Sequence, residues 1–254
     1  LKIAYVVPGI MDKKELSRRE NLLKEWAAVE TEVKIFDIME GPASIESSYE
    51  EYLSIPITAK KIYEIEKMGF DAAILGCAGD PGLDAMREIT TKMLVVGPGQ
   101  SGMQMAVMLG NRFSVLTVTD SRIANAYELA HKAGVAQSLV SVKPLNIPVL
   151  ELAENKEMTF NKMLAVGKEA IEHDRAEVLV LKCMSMGFLD IDQRLQAELN
   201  IPVINPSKTS LKISEALLGA GLNHSKKAYM VPPKLKDKKV NNLDELYLTS
   251  ESEK

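Results

Sequence analysis

Three features of this sequence predict an α/β fold made of two like halves. Short β-branched runs alternate with amphipathic segments along most of the chain, the pattern of parallel sheets covered by helices. A block spanning residues 69–90 recurs, weakly but in order, at 175–196. The only two cysteines, Cys77 and Cys183, occupy the same place in the two copies.

The strands are expected at 2–7, 32–37, 71–76, 93–96, 113–119, 138–142, 177–182 and 202–204, with helices between them. The first helix carries Leu22, Leu23, Trp26 and Val29 on one face, which places Trp26 in the core. A helix over 57–68 is read from Ile57, Ile62, Ile65 and Met68, with Gly69 as its stop. Met158, Met163, Val166, Ala170 and Ile171 mark another over 157–173. His131 and His173 lie late in their helices, where a cation suits the dipole.

The repeat aligns "GFDAAILGCAGDPGLDAMREIT" with "RAEVLVLKCMSMGFLDIDQRLQ", and "MLVVGPGQSGMQMAVMLG" with "IPVINPSKTSLKISEALL". Cys77 falls opposite Cys183, Leu83 opposite Leu189, and Pro98 opposite Pro206. Two copies of a four-stranded β/α half, facing each other, account for this order most simply. From residue 223 the chain changes character, with Pro232-Pro233 and clustered lysines, and reads as a surface tail, partly disordered. A sharper reading makes Leu243, Leu246, Tyr247 and Leu248 a docking arm against a partner subunit.

Composition narrows the function. A net charge of −4 and a pI near 5.6 leave no general basic footprint, which argues against nucleic acid. No apolar run approaches the ~18–20 residues that span a bilayer, and "LKIAYVVPGIM" has the wrong flanks for a signal peptide. The expected setting is the cytoplasm, the expected partner a small molecule, and homo-oligomerisation is left open. Two cysteines and three histidines are too few for a disulfide framework or an obvious metal cluster.

One rival reading is a nucleotide-binding module. Gly97, Gly99 and Gly102 spell G-x-G-x-x-G between a strand and a helix, and Asp120 ends the next strand. Against it, the match follows three earlier strands, and Pro98 stiffens the turn. The repeat partner "INPSKTSLK" also keeps the corner without the glycines.

The cysteine corners carry more. Ligand sites of open parallel sheets lie beyond the carboxyl ends of the strands, where both cysteines fall. Helices expected to start near Gly82 and Gly187 would favour thiolate over thiol. The small residues of "CAGDPG" would let a substrate approach the backbone. Cysteine is also a common buried hydrophobe, but equivalent positions in a repeat argue for chemistry. Two thiols facing one cleft suit removal of a proton from one face of a carbon and its return from the other. Asp80 either orients the Cys77 loop or caps the following helix. Arg87 and Glu88 are expected on a solvated face, and Lys182, next to Cys183 on a strand, is expected to point away from it.

On "GPASIES", "FDAAILGCAGDPGLDAMREI", "LGNRFSVLTVT" and "VLVLKCMSMG", the chain resembles the aspartate/glutamate/hydantoin racemase superfamily, and within it the hydantoin and allantoin racemase branch. The resemblance covers residues 1 to about 222. It implies two lobes related by a pseudo-twofold, with the active site in the cleft between them and the last helix crossing back to the first. The first lobe would be 1–97 plus 208–222, the second 98–207, and the tail 223–254. It implies Cys77 and Cys183 as an acid/base pair needing no cofactor. Substrate contacts would come from Ser44, Ile45, Ala78, Gly79, Thr117, Val118, Met184 and Ser185, with Pro8 and Asp80 lining the same site. The expected substrate has an acidic C–H beside a carbonyl, a 5-substituted hydantoin or allantoin-like ring. An aspartate/glutamate-type amino-acid racemase is the alternative, and a non-catalytic small-molecule binder a further one. Three departures line the site: "VPGIM" after the first strand, "KCMSMG" around the second cysteine, and Thr117-Val118-Thr119.

Overall fold

Eight short parallel strands form two sheets of four, each built from one half of the chain. The computed structural model describes residues 1–240 and 242–246. The first half runs β1 (Lys2–Val6), α1 (Lys13–Trp26), β2 (Glu32–Phe36), α2 (Ser48–Lys67), β3 (Ala72–Leu75), α3 (Leu83–Ile89) and β4 (Leu94–Val96). The second runs α4 (Pro98–Leu109), β5 (Phe113–Thr117), α5 (Ile123–Lys132), β6 (Leu139–Pro144) and α6 (Lys156–Asp174). It continues through β7 (Val178–Leu181), α7 (Met184–Gly187), α8 (Asp192–Leu199) and β8 (Val203–Ile204). Helix α9 (Pro206–Gly219) and the short α10 (Pro233–Lys236) follow.

The strand orders are β2-β1-β3-β4 and β6-β5-β7-β8, so the two sheets have one topology and the repeat is real in three dimensions. Every expected strand forms within two residues of its expected span. Strands such as β3 and β7 are buried at every position because both sheet faces are covered. In the first sheet, Ile3, Tyr5, Ile74 and Leu94 face one way, and Ala4, Val6, Leu75 and Val95 the other. Phe188, from beyond β7, packs into the first of these layers, edge-on to Tyr5 and stacked on Trp26. Leu211 of α9 joins the same layer, and α9 packs against α1, β3, β4 and α4. The two sheets are thereby locked together through aromatic burial beside the cleft.

Four local expectations are corrected. Helix α2 begins at Ser48, well before Ile57, because Ser47 and Glu50 cap it reciprocally and its interior accommodates Pro56. Helix α1 ends at Trp26, and Val29 is fully exposed beyond it. Arg87 is buried: its guanidinium donates to the Val95 carbonyl and Gln100 and packs on Tyr229. Its partner Tyr229 lies in the tail, which docks on its own chain. There Lys226 reaches the carbonyls of Arg87 and Thr90, His224 meets the backbone of Val95, and Lys60 pairs with Asp244. Tyr247 and Leu248 lie outside the described residues.

Candidate active site

Both cysteines stand just beyond equivalent strands, Cys77 two residues after β3 and Cys183 two after β7. They line one cleft, open to solvent, together with residues from both halves of the chain. Both are half-buried free thiols. The strand ends are held apart from their following helices by two different clamps, which fix each corner.

In the first half the clamp is Asp80. Its carboxylate accepts the N–H groups of Gly99 (2.9 Å) and Gln100 (2.6 Å) at the start of α4. Its backbone takes a left-handed φ of 54° that turns the Cys77 loop back. Asp80 therefore caps α4 rather than the helix that follows it, and it does not line the cleft. Burial pushes its carboxyl up to about 6, against the pull of the two N–H donors. The first two glycines of G-x-G-x-x-G serve this clamp, while Gly102 faces Val180 and Ile204. A Cβ on Gly97 would stand 2.6 Å from the Asp80 carboxylate, and one on Gly99 would overlap the carbonyl of Ala78. The helix start that a pyrophosphate would need is filled by this carboxylate.

In the second half Asn205 does the tying. Its Oδ1 accepts from Ser207 N–H (3.0 Å) at the start of α9, while its Nδ2 donates to the Gly187 carbonyl (3.0 Å) and to Asp192 (3.0 Å). The helix after Cys183 starts at once, at Met184, with Cys183 as its cap, and Gly187 ends it rather than begins it. Arg19 of α1 crosses from the first half to donate to the Ser185 hydroxyl (3.1 Å), its guanidinium lying over Phe188. Glu15, doubly bonded to Arg18 and Arg19, is held down to about 2.

The cleft brings together Pro8, Ser44, Ile45, Ala78, Gly79, Val118, Met184 and Ser185 with the two cysteines. Thr117 is set apart: it ends β5 fully buried, with its hydroxyl unpartnered behind the cleft wall. The Ser44 loop arches over from the first half and is pinned to the second. Glu46 accepts from Val149 N–H (3.1 Å) and Ser44 Oγ (2.9 Å), and its carbonyl takes the Ser121 hydroxyl (2.6 Å).

Electrostatics depart from expectation. Helix α3 starts at Leu83, just after Gly82, and the Cys77 sulfur receives the Gly79 N–H at 3.4 Å. Burial dominates and pushes the Cys77 thiol up to about 11, with Gly79, Lys182 and Arg122 pulling the other way. Cys183 is also raised by burial, opposed by the N–H groups of Met186 and Ser185 and by Arg19. Three cations line the cleft: Arg19, Arg122 and Lys182. The sequence reading missed the first two and set Lys182 aside. Strand β7 ends at Leu181, and Lys182 lines the cleft, its ammonium carried to Asn125 and toward Cys77 rather than to its chain neighbour Cys183. Arg122 sits in a single turn after β5 with no sequence signal. Among the described residues no three His, Cys, Asp or Glu side chains converge as a metal site requires.

Residues 19–212 match the family described as Asp/Glu/Hydantoin racemase. The chain belongs to that family. It is 36% identical over 216 residues to the hydantoin racemase of Pseudomonas sp. (strain NS671), covering 85% of this chain and 86% of that one. Its structure is similar to the allantoin racemase of Klebsiella pneumoniae, with a TM-score of 0.85, 28% identity, and 92% and 94% of the two chains covered. The allantoin racemase of Pseudomonas fluorescens gives 0.82 at 25% identity, covering 92% and 97%. In the family's terms, the paired sheets and the cleft between them are a racemase architecture.

Proposed function

We propose that this chain racemises a 5-substituted hydantoin or allantoin-like ring without a cofactor, using Cys77 and Cys183 as its two bases. The observation that carries the reading is the meeting of both thiols, from equivalent corners of two like sheets, in one cleft. One cysteine as thiolate takes the ring C–H proton. The bonding pair moves into the adjacent carbonyl as an enolate, which backbone N–H groups at the cysteine corners stabilise. The other thiol then protonates the opposite face and becomes the thiolate, so the roles exchange with the enantiomer. Pro8, Ser44, Ile45, Ala78, Gly79, Val118, Met184 and Ser185 shape the ring site.

The likeness of α9's packing to a crossing helix supports a division into 1–97 with 208–222, and 98–207. Catalysis requires both thiols reduced, which the cytoplasm provides, and we assign the chain there. Among the described residues no helix is long and apolar enough to cross a membrane.

Loss of the substrate C–H signal in D₂O, followed by NMR, tests the reading with hydantoins, allantoin, aspartate and glutamate. Exchange on a hydantoin or allantoin is expected, with kcat/KM for racemisation falling by at least about 10²–10⁴-fold in both Cys77→Ser and Cys183→Ser. Exchange confined to aspartate or glutamate would replace the substrate class. Full activity in either variant would remove the two-base mechanism.

A further inference from the structure

Lys182 is a buried ammonium without a carboxylate. It is 6% exposed, and its Nζ donates to Asn125 Oδ1 at 2.5 Å. Among the described residues no acid forms an ion pair with it, whereas the neighbouring cation has one: Arg122 Nη2 pairs with Glu51 at 2.5 Å, leaving Nη1 buried without a hydrogen bond. The other nearby acid, Asp80, is committed to the start of α4. An uncompensated buried charge is costly unless an anion stands beside it in the working state.

The geometry says which anion. A Cβ on Gly79 would stand 3.5 Å from Cys77 Sγ, 3.5 Å from Asn125 Oδ1 and 3.2 Å from Arg122 Nη2. Cys77 and the Asn125 amide that holds Lys182 thus share one small corner of the cleft, and Lys182 lines the same cleft. The groups facing Lys182 are Cys77, Asp80, Arg122 and Glu51, and of these Cys77 alone is an acid without a counter-charge. Cys183 is served separately, by Arg19 and the Ser185 and Met186 N–H groups.

We propose that Lys182 is a positioning residue that acts on Cys77, holding an ammonium beside the sulfur so that the working base is a thiolate–ammonium pair. The pair loses one proton to solvent, and the proton that remains sits on nitrogen. During turnover the thiolate takes the substrate proton while Lys182 stays charged, so it stabilises one of the two resting states and not the other. Burial works against the pair, raising Cys77 and lowering Lys182, while the charge of each group opposes the shift on the other. Residues adjacent in the chain, Lys182 and Cys183, thereby serve opposite cysteines. The inference deepens the racemase reading above and rests on it for its kinetic meaning only.

The test is a thiol titration that needs no turnover. With Cys183→Ser as background, Cys77 is the sole cysteine, and its iodoacetamide alkylation rate and thiolate absorbance are followed against pH. Lys182→Met should raise the Cys77 midpoint by about 1–3 pH units, the usual effect of losing an adjacent opposite charge. Lys182→Arg should restore most of the shift. In a Cys77→Ser background the Lys182→Met change should leave Cys183 unmoved. Lys182→Gln, which removes the charge but keeps a polar side chain, should raise the Cys77 midpoint likewise, and stands in if Lys182→Met does not fold. An unchanged Cys77 midpoint in the folded variants, or an equal shift in Cys183, would overturn the proposal. Failure of the racemase reading would appear separately, as intact titrations without proton exchange.

Discussion

Gly99 has no room for a side chain, because the carbonyl of Ala78 occupies the place of its Cβ. Gly99→Ala should therefore push the Cys77 loop off α4, costing about 1–3 kcal/mol in denaturant unfolding and lowering racemisation with it. Gly219→Ala, where the space is open, should stay within about 0.5 kcal/mol of the parent. The glycine pattern was legible in the sequence, but its purpose was not: a pattern does not reveal that a carboxylate twenty places upstream fills the helix start. The two cysteines were legible through the repeat. Their electrostatics were not, since burial and the cations at 19, 122 and 182 come from distant segments. With Cys77 pushed up to about 11 by burial, the base form grows as pH rises. Racemase kcat/KM should accordingly climb from about pH 7 to about pH 9, by up to roughly tenfold per unit. A flat profile in that window would mean that neither thiol limits the rate.

At the scale of elements, the strands announced themselves because parallel strands buried on both faces read as uninterrupted apolar runs. Helix α2 was half-seen, since Pro56 hides its first two turns from a pattern search while Ser47 and Glu50 set its start. The Ser44 loop has no periodicity, and its part in the cleft comes from latches to Ser121 and Val149 in the other half. Glu46→Ala releases the Ser44 and Val149 contacts together. KM should rise about three- to tenfold, the worth of one or two hydrogen bonds, with kcat less affected, as steady-state kinetics would show. Asn205→Ala unties α7 from α9 and should lower stability by about 1–2 kcal/mol, read from the unfolding midpoint.

For the whole molecule, the repeat indicated two sheets of one topology, and the tail was the part the sequence described least well. Its lysines and prolines look like those of a solvated segment, yet Lys226, His224 and Tyr229 find partners on the first half that no local pattern could show. His224 Nε2 lies 2.9 Å from both the amide nitrogen and the carbonyl oxygen of Val95, and burial lowers its pKa to about 4. An imidazole depressed in the folded state binds fewer protons there than in the unfolded chain. Its contribution is thus complete above the unfolded value near 6.5 and is lost as pH falls toward 4. Limited proteolysis of the tail should speed up across that window, and His224→Gln should flatten the dependence.

Val95 lies on β4, the outer strand of its sheet, and its N–H and carbonyl are met by side chains, His224 and Arg87, where another strand would otherwise bond. A chain cut after Leu222 is therefore not a trimmed racemase but a protein with an adhesive flank. Open strand edges recruit copies of themselves, so His224, which lies outside the cleft, shields this edge from pairing with another strand.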